Sequence, residues 1–203
     1  TSFLGRSFIL GGRYDLLATF LEGDLFLHTN RLTLSAGSRL TPHTRTVLFN
    51  RLAYSNFGRD GSNPDQTSRD GFYEDVGLTQ YWYTRDFRSH LFLTQEYNDA
   101  RTRGGNFERR GTTTRVGIHF PFFQETEADL AAGLRWNRYP RFSSLSGLDP
   151  ARRRDTPWDL YAALTYPLTP KVKTRIFYRF TQANNQNDFF EYDRHIAGVQ
   201  FLF

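Results

Sequence analysis

Cysteine and methionine are absent from this 203-residue chain, so neither a disulfide frame nor a thiolate metal site is open to it. Lysine is almost absent too: Lys171 and Lys173 are the only two, and arginine supplies the rest of the 26 basic residues. No run approaches the ~18 consecutive apolar residues that a membrane-spanning helix needs. No segment of helix length carries an apolar period of 3.6. With 38% hydrophobic residues and a mean hydropathy of −0.59, a simple average would class the chain as water-soluble. The formal charge of +5 and a pI near 9.6 raise the question of nucleic acid. The basic residues are spread through every segment rather than gathered into one stripe, so no nucleic-acid partner is expected.

What the chain does contain is aromatic residues, 20 Phe and 11 Tyr, set in long stretches that alternate polar and apolar. About ten strand-like segments follow from that alternation: 7–21, 25–40, 43–57, 72–84, 88–98, 111–121, 126–138, 158–166, 171–182 and 190–203. Most exceed the ~5–6 residues usual for globular strands, and they match the ~9–11 residues that a tilted strand needs to cross hydrocarbon. Lipid-facing and lumen-facing residues alternate in such strands, which makes each segment's average polar. The connections also alternate. Short ones fall at Thr41-Pro42, Arg85 to Phe87, Phe122 to Glu125 and Pro167 to Pro170. Long ones, rich in Gly, Asp, Asn, Ser and Arg, fall at 58–71, 99–110, 139–157 and 183–189. The hairpin at Glu22-Gly23-Asp24 is short where a long loop is expected. An even strand count places both termini on the short-turn side.

The last segment runs from Tyr192 to a terminal Phe203, with Phe201, Val199 and Ala197 on one face and Gly198 the sixth residue from the end. This ending resembles the C-terminal signal by which bacterial outer-membrane β-barrels are recognised by their assembly machinery, with Gly198, Phe201 and Phe203 as its residues. Alternation, loop pattern and terminal aromatic together resemble that class over the whole chain. The stretch Phe189 to His195 with the closing strand is also similar to the C-terminal barrels of polysaccharide-secretion porins and surface-lipoprotein assembly modifiers. The resemblance implies an all-β antiparallel transmembrane barrel of about ten strands in the outer membrane of a Gram-negative cell, with periplasmic termini and no cofactor. It also implies contact with outer-membrane lipid, lipopolysaccharide, the barrel-assembly machinery and other envelope proteins. Two forms remain open: a small complete barrel closed by its last strand, or the closing part of a larger one.

Alternation sets the phase of each strand. Trp158, Leu160, Ala162, Leu164 and Tyr166 are expected outward, with Asp159, Tyr161, Ala163 and Thr165 inward. Val172, Thr174, Ile176, Tyr178 and Phe180 are outward and Lys173, Arg175, Phe177, Arg179 and Thr181 inward. Leu130, Ala132, Leu134 and Trp136 oppose Glu127, Asp129, Arg135 and Asn137, and Val116, Ile118 and Phe120 oppose Arg115 and His119. Aromatics near strand ends (Tyr54, Trp82, Trp136, Trp158, Tyr166) suit interfacial girdles. Gln80 falls on the expected lipid face between Leu78 and Trp82 and is the one misfit. The inward charges are then Arg13, Arg45, Arg51, Arg115, Arg135, Lys173, Arg175, Arg179 and Arg194 against Asp15, Asp75, Glu96, Asp129 and Asp159. They read either as a salt-bridge lattice filling a narrow barrel or as a cationic constriction that passes or holds anions.

A repeat joins two regions: Leu40 to Arg51 aligns with Leu168 to Arg179, sharing Leu, Thr, Pro, a later Thr, Phe and Arg. His28, His43, His90, His119 and His195 show no metal-ligand spacing and no serine or carboxylate-pair motif, so neither catalysis nor a metal site is expected. His195 is phased toward lipid, where a lipolytic dyad would have to sit. Arg101 to Asn106 reads as a loop tip, and Arg152-Arg153-Arg154 as a solvated run or a lipopolysaccharide contact. The function expected is a channel or export component with an arginine-rich lumen; the alternative is a sealed scaffold whose outer loops bind a partner.

Overall fold

Ten strands form a single antiparallel sheet in sequential order. They are β1 (Phe8–Leu21), β2 (Asp24–Thr41), β3 (Thr44–Phe57), β4 (Gly71–Tyr83), β5 (His90–Thr102), β6 (Arg109–Phe123), β7 (Thr126–Arg138), β8 (Arg154–Thr169), β9 (Val172–Asn185) and β10 (Tyr192–Leu202). The computed structural model describes residues 8–21, 24–58, 68–140, 153–185 and 191–202. The only helical element among these is a short 3-10 turn, Gly105–Phe107.

All ten expected strands are present. The strands run further than alternation suggested at both ends: β6 reaches Phe123 and β8 reaches Thr169, so the connections expected at Phe122 to Glu125 and Pro167 to Pro170 are tighter still, and the larger extensions lie at the long-loop end. β5 continues to Thr102 and β6 resumes at Arg109, so Arg101 belongs to a strand rather than to a loop tip. β8 begins at Arg154 and carries both Pro157 and Pro167. Proline and charge punctuate a sequence, but here ladder pairing overrides both. Glu22, Gly23, Arg152, Phe189 and Phe203, along with most of the 58–71 and 139–157 loops, lie outside the described residues.

The two faces differ sharply. Leu34, Leu48, Phe72, Val116, Leu130, Leu160, Ile176 and Val199 are all exposed on the convex face. Among the described residues the buried ones are mostly polar, Thr29, Thr79, Thr113, Asn137, Thr165 and Thr181 among them, and the buried hydrophobic ones are four alanines. A water-soluble fold does the reverse. Gln80 is accommodated because Thr46, directly opposite it on β3, donates to its Oε1 at 2.6 Å while its amide donates to the Arg45 and Tyr81 carbonyls.

The repeat is turn chemistry. At the β2–β3 turn the Thr41 hydroxyl accepts from the His43 N–H at 3.3 Å, and at the β8–β9 turn Thr169 accepts from the Lys171 N–H at 3.3 Å. Each threonine thus closes its turn over the proline that follows it. The same solution serves both hairpins.

Three glycines share one job on the concave face. Phe49, Phe92 and Phe177 stand directly opposite Gly77, Gly117 and Gly198 across their ladders. A Cβ at each of these glycines would sit on the facing ring. The rings cover backbone that a glycine leaves bare, as designed sheets do when an aromatic rescues a glycine. Gly198, expected only as part of a C-terminal signal, therefore has a packing reason of its own.

The sheet does not close on itself. β10 pairs with β9, β1 with β2, and among the described residues no ladder joins β1 to β10. This departs from the expectation that the last strand seals a ten-strand sheet. The reason is curvature: the sheet curls through about half a barrel, too gently for ten strands to bring their edges together.

Candidate functional site: the charged concave face

On a curled sheet, side chains of the concave face converge, so residues two strands apart can touch over the strand between them. Four ion pairs do this, three of them made by arginine. Arg51 on β3 reaches Glu96 on β5 at 2.7 Å, with Asp75 of β4 at 3.7 Å. Arg115 on β6 approaches Asp159 on β8 at 3.5 Å, and Arg175 on β9 reaches Asp129 on β7 at 3.1 Å. Under the Arg115–Asp159 pair the strand in the middle offers little bulk. Gly133 lies in register between Arg115 and Asp159, and a Cβ there would lie 2.7 Å from the Asp159 carboxylate and 3.4 Å from Arg115 Nε. Ala163 stands directly opposite Asp129, and Gly77, covered by the Phe49 ring, directly opposite Glu96. Gly133 thus permits charge pairing between the two strands that flank it.

Secondary contacts fix these groups. Asp129 also meets His119 Nδ1 at 2.8 Å, Arg175 Nε donates to Thr165 at 3.0 Å, and Asn98 donates to Asp75 at 2.7 Å. His119 stacks on His90 with ring centroids 4.9 Å apart. Lys173 on β9 reaches Glu127 on β7 at 3.6 Å, toward the short turns, and on the edge strand β1 Arg13 pairs with Asp15 at 2.6 Å.

The other inward arginines are held differently. Arg135 Nε donates to the Thr113 hydroxyl at 3.3 Å. Arg179 lies over the Tyr161 ring at 5.4 Å, and its Nε, like that of Arg45, is buried without a hydrogen-bond partner. Arg194 on β10 makes no ion pair among the described residues and is exposed. Of the carboxylates expected inward, Asp15, Asp75, Glu96, Asp129 and Asp159 each meet an arginine and Glu127 meets Lys173; the arginines outnumber them.

Alternation did not single out the residues at the long-loop end of this face. Arg31, Arg69, Arg109 and Arg153 line a concavity there together with Arg51 and Arg135. Arg31 shares the inward parity of Thr29, which is buried, so phasing β2 would have found it. Arg69 and Arg153 precede strands, where alternation carries no information. Arg153 lies over the Tyr139 ring at 3.9 Å and pairs with Asp155 at 3.2 Å. The Tyr139 hydroxyl donates to the same carboxylate at 2.6 Å. Burial and the adjacent Asp155 charge push the Tyr139 phenol up to about 12, so it stays a neutral donor at any ordinary pH.

His195 meets the Tyr178 hydroxyl at 2.6 Å on the convex face, with Phe180 packed beside it. No serine takes part in that contact. Among the described residues no group of three His, Asp or Glu side chains could hold a metal ion.

No protein-family model, curated protein or solved structure matches this chain. The functional reading therefore rests on the two faces of the sheet.

Proposed function

We propose that the sheet is the wall of a bacterial outer-membrane β-barrel, with its termini on the periplasmic side, acting as a channel or export component with an arginine-rich lumen. The observation that carries this is the inversion of polarity: an exposed apolar convex face over a concave face of ion pairs. Hydrocarbon suits the first surface and water the second. Lipid cannot satisfy the free N–H and C=O groups of an open edge. β1 and β10 are therefore paired in the membrane by further strands, about as many again as the ten described. Barrel diameter grows with strand number, and barrels well above ten strands enclose water rather than packed side chains. That favours a conducting lumen over a filled one.

The specific observation favouring a sealed scaffold is the ion-pair lattice over Gly77, Gly133 and Ala163. Planar-bilayer recording separates the two. A channel lined by more arginines than carboxylates conducts with a modest anion preference, screened by salt over ~10 Å at 0.1 M. The guanidinium charge is insensitive to pH, so the preference holds across the working range. Changing Arg175 and Arg179 together to Gln moves the reversal potential toward cations. Cation preference in the unmodified protein refutes the cationic lumen, and complete absence of conductance leaves the scaffold.

A further inference from the structure

The concave arginines differ in how far carboxylates balance them. Around the middle of the sheet, Arg51, Arg115 and Arg175 each have a carboxylate. At the long-loop end that balance fails. A cavity of about 540 Å³ opens there, walled by Arg31, Arg51, Arg69, Arg109, Arg135 and Arg153 against only two carboxylates, Asp75 and Asp155. Both carboxylates are already engaged, Asp155 by Arg153 and Tyr139, Asp75 by Arg51 and Asn98. Arg31 faces Asp15 across the β1–β2 ladder, but Asp15 is held by Arg13. Arg69 lies over the Phe107 ring at 4.5 Å, which holds its guanidinium at the cavity wall without neutralising it.

Arg31, Arg69, Arg109 and Arg135 thus have no carboxylate partner among the described residues. Like charges gathered in one concavity repel each other, and a desolvated guanidinium without a counter-charge is costly. An anion placed between them would relieve both. Guanidinium groups present planar forks of N–H donors that match the oxygens of phosphate and carboxylate two at a time. The volume falls within the ~300–1,000 Å³ typical of ligand pockets, larger than one small ion requires. We propose that this cavity is a binding site for a multivalent oxyanion, a ligand carrying several phosphate or carboxylate groups. The charges could belong to a free ion or to successive units of a polyanionic chain; the chemistry of recognition is the same.

The proposal rests on reading the concave face as water-filled, but its test does not need conductance. The folded full chain in detergent is titrated by calorimetry with inorganic pyrophosphate and, separately, with long-chain polyphosphate at matched ionic strength. Saturable binding of pyrophosphate is expected, weakened at least tenfold by changing Arg109 and Arg135 together to Gln. Arg69→Gln, outside the strands and so of little consequence for folding, weakens it several-fold. Lys173→Gln, at the other end of the face, leaves it unchanged. Polyphosphate that binds no tighter per chain than pyrophosphate points to a free ion; much tighter binding points to a polymer. Absence of saturable binding to both probes, or binding that survives the Arg69 and the Arg109/Arg135 changes, overturns the site. A protein that conducts without binding refutes this inference alone; one that binds without conducting refutes the channel alone.

Discussion

Leu130→Arg separates a membrane wall from a water-exposed sheet in one substitution. Leu130 lies on the convex face of β7, 47% exposed, in register with Ile118 on β6 and Ala162 on β8. On β8 the outward face runs from Trp158 to Tyr166 with Ala162 midway. At ~3.3 Å per residue that stretch is roughly 26 Å along the strand, or roughly 20 Å along a barrel axis at a tilt near 40°. It approaches the ~25 Å apolar band of outer-membrane barrels, so Leu130 sits near the middle of the band. An arginine at the midplane costs about 2–4 kcal/mol, falling to about 0–1 kcal/mol at the interface. In water, a change at a half-exposed surface site stays within about 0.5 kcal/mol. Leu168, exposed beyond Tyr166 beside the β8–β9 turn, serves as the interfacial control. Urea unfolding of protein refolded into lipid vesicles, read by tryptophan fluorescence and by heat-modifiable gel mobility, should show a cost of about 2–4 kcal/mol for Leu130→Arg and about 0–1 kcal/mol for Leu168→Arg. Equal costs at the two positions, or a cost under about 0.5 kcal/mol at both, would remove the basis for placing the convex face in lipid. A larger cost at Leu168 would put the hydrocarbon at the wrong height.

Gly117→Val forces the Phe92 ring off the glycine it covers and should destabilise by about 1–3 kcal/mol, the usual cost of overpacking; in the Phe92→Ala background the same change should cost clearly less, and strict additivity would show that the ring and the glycine are not coupled. Protease applied to intact cells should cut only within the long connections at 58–70, 103–108, 139–153 and 186–191, and a cut at Pro42 or Pro170 would invert the topology. Deleting Phe203 should lower folded, heat-modifiable protein in the membrane several-fold while leaving the conductance of what does fold unchanged; undiminished yield would mean that the terminal aromatic is not an assembly signal.

The strands were legible because period-two alternation follows from the pleat itself: once one face meets a different medium from the other, side chains must sort by parity. Phase was legible for the same reason, down to Leu134 outward beside Arg135 inward, and Gln80 was a misfit only until its partner Thr46 was seen across the ladder. The strand ends were less so. Proline and charge near 154–157 and 99–102 look like loop, but a residue can stay in a ladder whenever its neighbour supplies the partner, and that neighbour is distant in sequence.

Composition and alternation alone determined that this chain is a set of long antiparallel strands with an apolar and a charged face. Tertiary structure decided which charges meet. Arg115 finds Asp159 only because register sets Gly133 between them, and curl brings together side chains that a flat sheet would hold about two strand spacings apart, roughly 10 Å. It also decided that β1 and β10 stay apart, since closure depends on the angle accumulated over ten strands rather than on any residue in them. The concentration of arginines at the long-loop end has the same origin: Arg31, Arg69, Arg109 and Arg135 come from separate stretches of chain, and nothing short of the folded sheet gathers their charges around one cavity.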